Sequence, residues 1–355
     1  MHKFNELTQI HLEISNNCQA ACPMCNRNIS SGLENPIIKI NNWTLDQFKS
    51  IMSHEVLDQI DSFYFCGNFG DPILNSNLIE MCSYASMYKP SLSIHVHTNG
   101  SAHLPEYWAR LAKALPKNHK VLFALDGLAD THHIYRVGTD FNKILDNARS
   151  FIAAGGHAEW VYIKFKHNEH QIEEARTISK ELGFANFNLK NSARFVGTTQ
   201  LDVVDKTGKK LYHIEPPTDS KLAYIGIDTL RNYKKIVDDS QIDCAVMKTK
   251  EIYIDAFMNI YPCCFLGIIP YTYIQLGEVA TPVRTAIREQ FDQFINEFGG
   301  MDELNSFNHS IKYILDKAEW NTIWNKYWHS DKLITCSRTC GTNNISKPMD
   351  QFINE

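Results

Sequence analysis

Short apolar runs rich in β-branched and aromatic residues recur between residues 8 and 190, and stretches with helical spacing alternate with them. The runs are TQIHLEI (8–14), DSFYFC (61–66), LSIHVHT (92–98), KVLFALD (120–126), AEWVYIKFK (158–166) and FANFNLK (184–190). Helical patterns lie at 44–56, 104–115, 141–154 and 169–182. Thr44 and Gln47 read as a capping box opening the first, each side chain bonding the other's backbone N–H. In the last, Ile172, Ala175, Ile178 and Leu182 share a face and Gly183 supplies the C-terminal stop. Repeated strand–helix units imply a parallel sheet with helices outside it. Six units are too few to close an eight-stranded barrel. The expected fold is therefore α/β, a partial (β/α)6 TIM-like barrel, with its chemistry at the C-terminal ends of the strands.

The rhythm stops near residue 190. Residues 1–190 then form the barrel, 191–243 a connector that includes HIEPPTDSK, and 244–355 a smaller C-terminal α+β domain. The last holds a hairpin-like pair (EIYIDAF and NIYPCC) and helical patterns around 283–298 and 303–329. MHKFNELTQIHLEIS has no apolar signal-peptide core, and no stretch approaches membrane-spanning length. A cytoplasmic, reducing location is expected, so the ten cysteines read as metal ligands or buried thiols instead of disulfides. A net charge of −5 offers no field to draw nucleic acid or an anionic membrane.

The cysteines cluster. Cys18, Cys22 and Cys25 follow the first strand in NNCQAACPMCNRN, and Cys244, Cys263, Cys264, Cys336 and Cys340 lie late, with only Cys66 and Cys82 between. Three thiols on one strand-to-helix loop admit three readings. They are buried structural thiols, three of four zinc ligands with the fourth from elsewhere, or ligands to three irons of a [4Fe–4S] cube whose fourth iron stays open.

The Cys18-Gln-Ala-Ala-Cys22-Pro-Met-Cys25 segment resembles the defining Cys-x3-Cys-x2-Cys motif of the radical S-adenosylmethionine (SAM) superfamily. The resemblance implies a [4Fe–4S] cluster on these three cysteines, SAM chelated at the open iron, and reductive cleavage to a 5′-deoxyadenosyl radical that removes a substrate hydrogen. FCGNFGDPILN (65–75) resembles the family's glycine-rich loop that holds the SAM amino group, with Gly70 and with Asp71 where Glu is usual. HTNGS (97–101), containing Asn99, resembles the Thr-Asn-Gly segment after the third strand. ALDGLADTHHIYRVGTDFNKIL (124–145) resembles the fourth-strand pattern, with Asp126 and Arg136 retained and Ala124 in place of Ser. On this likeness Arg136 pairs with the SAM carboxylate, and Met24 is the apolar residue near adenine.

The late cysteines resemble the SPASM or twitch extension of some radical SAM enzymes, with too few thiols for two extra clusters. The likeness implies one auxiliary [4Fe–4S] cluster on Cys244, Cys263, Cys336 and Cys340, with Cys264 the alternative to Cys263 and a zinc site on the same four the alternative to the cluster. The late pair is Cys-x3-Cys where Cys-x2-Cys is usual, and Met258 or Asn259 replaces the hairpin glycine. NTIWNKYW (321–328) resembles the family's Ile-Trp-Asn segment. His95 and His97 share a strand face and read as cavity lining. HNEH (167–170) lacks the HExxH order of a zinc protease, and RNYKK (231–235) reads as a solvated face. The implied activity oxidises or cross-links a peptide or small-molecule substrate, with a one-electron reductant such as flavodoxin or ferredoxin. The alternatives are an RNA-modifying radical SAM enzyme and a non-catalytic zinc- or iron-binding scaffold.

Overall fold

The structure, a computed structural model, describes residues 1–192, 194–195, 198–218, 233–272 and 280–342. Of the segments read from sequence, the remainder of the connector, of RNYKK and of the C-terminal region lies outside the described residues. The strands in chain order begin with β1 (Gln9–Leu12), β2 (Asn28–Ile29), β3 (Leu33–Glu34), β4 (Ser62–Phe65), β5 (Ser93–Thr98) and β6 (His119–Ala124). They continue with β7 (Ala158–Lys164), β8 (Asn186–Asn191), β9 (Leu201–Val204), β10 (Lys210–Ile214), β11 (Glu251–Ile254) and β12 (Ile260–Tyr261).

Eight strands form one sheet in the order β12-β11-β1-β4-β5-β6-β7-β8. The six strands expected from sequence are all parallel to their neighbours and run in chain order. β8 and β12 are the sheet's two ends, so the barrel is open, as six βα units require. The addition is β11, which lies parallel to β1 with Gln9 opposite Glu251 and Leu12 opposite Ile254, and carries β12 back in an antiparallel hairpin. The C-terminal hairpin is thus built into the barrel sheet itself. The two remaining hairpins, β2–β3 and β9–β10, stand outside it.

Period-two alternation sorts the sheet into two chemically different faces. Ile10, Leu12, Phe63, Phe65, Ile94, Val96, Val121 and Phe123 are completely buried under the helices. Each such side chain contributes about 1.5–3 kcal/mol of hydrophobic stabilisation. The inner face instead carries His11, Tyr64, His95, His97, Leu122, Val161 and Lys190, most of them only partly buried. The Thr44–Gln47 capping box forms in full, with Thr44 N donating to Gln47 Oε1 at 2.9 Å and Gln47 N to Thr44 Oγ1 at 3.2 Å.

Two helices differ from their sequence patterns. The 44–56 pattern is two helices, Leu45–Ile51 and His54–Gln59, because Met52 leaves helical geometry at φ −90°, ψ 54° and Ser53 is extended. The 303–329 pattern is a 3₁₀ turn at Met301–Leu304 followed by helices Ile311–Asp316 and Ala318–His329, broken by extended Lys317 at φ −58°, ψ 136°. No helix among the described residues is long and apolar enough to cross a membrane.

Candidate functional site

The three-cysteine loop leaves the C-terminal end of β1 and is fastened by backbone bonds. Ala21 N donates to Val137 O at 2.8 Å, Cys25 N to Cys22 O at 3.0 Å and Asn28 N to Cys25 O at 2.9 Å. Around it lies an apolar cluster separate from the main core, formed by Ala20, Cys22, Tyr135, Phe165, Phe195, Val203 and Ile214. Cys18, Met24 and Cys25 pack against it. The β9–β10 hairpin therefore serves as a wall of this pocket. Two N–H groups approach the sulfurs: Asn99 Nδ2 is 3.6 Å from Cys18 Sγ and Arg136 Nη1 is 3.9 Å from Cys22 Sγ. Burial pushes the Cys22 thiol up to about 11, and burial with the Asp71 charge pushes Cys18 up as well. Thiols held neutral by an apolar wall become thiolates when a metal cation takes the proton's place.

Asp71 is buried with both oxygens engaged. Oδ2 accepts from Asn99 N at 2.7 Å and Thr98 Oγ1 at 3.0 Å, and Oδ1 from Ile73 N at 3.2 Å. The carboxylate joins the loop after β4 to the end of β5. Asn99 also takes Gln19 Nε2 on its Oδ1 at 2.7 Å, which ties the cysteine loop to β5. Gly70 lies against β1's continuation: a Cβ built there would stand 2.0 Å from Ser15 O. No larger residue fits without moving backbone.

Glu13 carries a role that sequence reading passed over. It is 1% exposed, and its Oε1 accepts Phe69 N at 2.8 Å and Gly70 N at 3.1 Å while Oε2 accepts the hydroxyl of Tyr253 on β11. Burial raises its carboxyl to about 7 against these three bonds. A signal was present in TQIHLEI. Ile10, Leu12 and Ile14 face the helices, so His11 and Glu13 must point the other way, and a charge on an inward position needs partners.

Asp126 and Arg136 meet at 2.6 Å in a buried pair. Asp126 Oδ1 also accepts Ile163 N at 2.5 Å, so the pair bridges β6, β7 and the segment behind the cysteine loop. Burial raises the Asp126 carboxyl and the guanidinium pulls it back. Met24 accepts Ser192 Oγ on its sulfur at 3.5 Å and Arg194 Nη1 on its carbonyl at 2.7 Å.

The late cysteines converge in part. Cys244 precedes the helix Ala245–Thr249, Cys263 precedes Cys264–Gly267, and Cys336 and Cys340 lie on the helix Ile334–Cys340. The neighbouring Cys244 thiol holds Cys340 down at about 7, and Cys263 and Cys336 lie within electrostatic range of Cys244. Asp243 N donates to Cys340 O at 2.8 Å, closing the two segments on each other. Cys264 is buried, and burial with the neighbouring Cys263, Glu251 and Cys66 raises its thiol. Met258 takes the left-handed conformation at φ 71°, so it occupies the turn position where a glycine is usual. Among the described residues no three His, Cys, Asp or Glu side chains converge on a single ion.

Residues 12–178 match the Radical SAM superfamily. Among solved structures, Streptococcus suis SuiB bound to S-adenosylmethionine superposes with a TM-score of 0.54 at 14% identity, over 89% of this chain and 67% of that one. SuiB bound to the precursor peptide SuiA gives 0.51 at 14% identity, over 89% of this chain and 66% of that one. The chain spans about two thirds of the length of SuiB, and at this identity the likeness is one of fold. No curated protein matches the chain.

Proposed function

Starting from residues 12–178 as a radical SAM domain, we propose that Cys18, Cys22 and Cys25 hold a [4Fe–4S] cluster and that the chain removes a hydrogen atom from a peptide or small-molecule substrate. The observation that carries this reading is the three-thiol loop at the C-terminal end of β1, walled by apolar side chains and met by N–H donors at Cys18 and Cys22. Three thiolates in place of four suit a cube with an open iron. When bound, the cluster and S-adenosylmethionine supply one-electron cleavage and the hydrogen-abstracting radical.

The chain's own residues position, insulate and tune. Asn99 and Arg136 place N–H groups at the sulfurs, where hydrogen bonds raise a cluster's potential. Tyr135, Phe165 and Phe195 keep water from the loop, which protects a reactive radical from side reactions. Asp71 acts through Thr98, Asn99 and Ile73, fixing the loop that ends in Gly70 and Asp71 against the end of β5. Arg136 is committed to Asp126 through Nε, so its part is to brace the cysteine loop as well as to face the cosubstrate. Cys244, Cys263, Cys336 and Cys340 hold the auxiliary cluster, which suits an oxidation in which the substrate radical gives up a second electron. The peptide-bound SuiB complex supports a peptide as one substrate class, and a flavodoxin or ferredoxin supplies the first electron.

Anaerobic reconstitution followed by iron analysis and measurement of 5′-deoxyadenosine under dithionite tests the reading. The expected result is about eight irons, from two cubes, with SAM cleavage lost in Cys18→Ala. Wild-type cleavage rates in Cys18→Ala would overturn it, as would thiols filled by zinc in a protein that does not bind SAM.

A further inference from the structure

An oxidation that leaves a double bond removes a proton as well as a hydrogen atom and an electron, so the lumen needs a proton acceptor. The carboxylates are already committed. Glu13, Asp71, Asp126, Glu159, Glu251 and Asp255 lie along the sheet or at its upper loops, and each is 4% exposed or less. Glu13 accepts Phe69 N at 2.8 Å, Asp71 accepts Asn99 N at 2.7 Å and Asp126 accepts Ile163 N at 2.5 Å. Glu159 accepts Asn188 Nδ2 at 2.9 Å, Glu251 accepts Tyr64 Oη at 2.7 Å and Asp255 accepts Phe257 N at 2.8 Å.

The inner-face imidazoles differ from one another. His11 is 2% exposed, its Nε2–H donates to Cys66 O at 2.6 Å, and its Nδ1 is sealed in without a partner. His95 shares a hydrogen bond between Nε2 and Ser93 Oγ at 3.0 Å and lies two residues farther down β5. His97, near the upper end of β5, is partly buried, makes no hydrogen bond among the described residues, and has neither ring nitrogen sealed. Val96 and Thr98 on either side of it turn to the buried face, so its ring stands over the lumen. Tyr64 backs it at 5.8 Å between ring centroids, and Tyr64 is itself stacked on His11 at 4.4 Å. Two residues beyond His97, Asn99 places Nδ2 3.6 Å from Cys18 Sγ. The imidazole is thus about 7 Å along the chain from a residue that touches the cysteine loop. Burial lowers it below its ordinary value, so the ring is neutral near pH 7 and offers a lone pair.

We propose that His97 is the general base of the reaction, taking the proton of an O–H or N–H borne on the carbon that loses its hydrogen atom. The substrate class is then an alcohol or an amine, free or within a peptide. The proposal rests on the radical SAM reading, and its test separates the two. The step balances. The deoxyadenosyl radical takes the hydrogen atom from R2CH–XH and becomes 5′-deoxyadenosine. His97 takes the X–H proton and becomes imidazolium, the C=X bond forms, and the remaining electron passes to an oxidised iron–sulfur cluster. Contact between His97 and X at about 2.6–3.2 Å also fixes which hydrogen faces the radical.

The test uses reconstituted holoenzyme and has two arms. Diethyl pyrocarbonate acylates neutral, accessible imidazoles, and peptide mapping by mass spectrometry follows each histidine. His97 is expected to react at least about tenfold faster than His11, whose nitrogens are bonded or sealed. Equal rates would overturn the proposal. In the second arm the probe is propan-2-ol deuterated at carbon 2, supplied with SAM and dithionite. Deuterium in 5′-deoxyadenosine counts hydrogen abstraction, and acetone counts completed oxidation. His97→Gln, which cannot take the proton, is expected to lower acetone per deuterated 5′-deoxyadenosine by at least about tenfold. Acetone yields equal in wild type and His97→Gln, nil included, would overturn the proposal. Wild-type protein that forms no 5′-deoxyadenosine at all refutes the radical SAM reading instead, and the acylation rates are read independently of it.

Discussion

Replacing Glu13 by Gln isolates the energetic cost of one buried charge behind the Gly70 loop. The ordinary carboxyl value of 4.5 rises to about 7 in the fold, chiefly through burial and against the bonds from Tyr253, Phe69 and Gly70. Because the folded value lies above the unfolded one, between pH 4.5 and about 7 the folded protein keeps a proton that the unfolded chain has released. The unfolded state then binds fewer protons, so stability falls as pH rises through this window and stays lowered above it. The gap corresponds to about 3 kcal/mol at 1.36 kcal/mol per unit. Glutamine keeps an oxygen for the two amides and has no proton to lose, so Glu13→Gln is free of this contribution. Urea unfolding of both proteins at pH 5, 6, 7 and 8 reads the difference directly, and other titrating groups cancel in it. The expected outcome is that Glu13→Gln gains on wild type by about 3 kcal/mol from the acid to the alkaline end. A difference that stays flat within about 0.5 kcal/mol would refute the reasoning. Glu13→Ala is expected to be worse than either at every pH, because it leaves two backbone amides and a tyrosine hydroxyl unpaired at about 1–3 kcal/mol each.

Gly70→Ala places a methyl 2.0 Å from Ser15 O. It should lower SAM affinity by at least about tenfold, read by dialysis, and stability by about 2–4 kcal/mol. Asp126→Asn strands the Arg136 guanidinium, whose side chain is 16% exposed, and should destabilise by about 3–5 kcal/mol in denaturant titration. Cys263→Ser should lower reconstituted iron by about four atoms, one cube, whereas Cys264→Ser, at a buried thiol, should leave iron content unchanged.

The parallel sheet was legible because each strand carries its own local pattern. The helix-facing residues of β1, β4, β5 and β6 are apolar at every second position, and capping signals such as Thr44–Gln47 mark a helix start from four residues. The cysteine loop was legible for the same reason, with three thiols and their spacing inside eight residues. What local sequence did not reveal depends on partners far away. Asp71 reads as a free carboxylate until β5 supplies Thr98 and Asn99, and Arg136 reads as a free cation until Asp126 fills its Nε. The 44–56 pattern continues past Met52 in sequence, yet Met52 leaves helical geometry and the extended Ser53 precedes a second helix.

The position of β11 has a consequence for how the protein is made. β1 leaves the ribosome well before its partner on one side, because Tyr253 follows Glu13 by 240 residues. At common elongation rates that is a wait of roughly 10–50 s. Throughout it, β1 exposes an unpaired edge and Glu13 lacks one of its three donors, a template for wrong pairing. A fragment ending near residue 243 would carry Cys18, Cys22 and Cys25 and keep that edge open permanently. Such a fragment should aggregate instead of folding, so the cysteine loop and the late hairpin are one unit of biogenesis although they lie at opposite ends of the sequence.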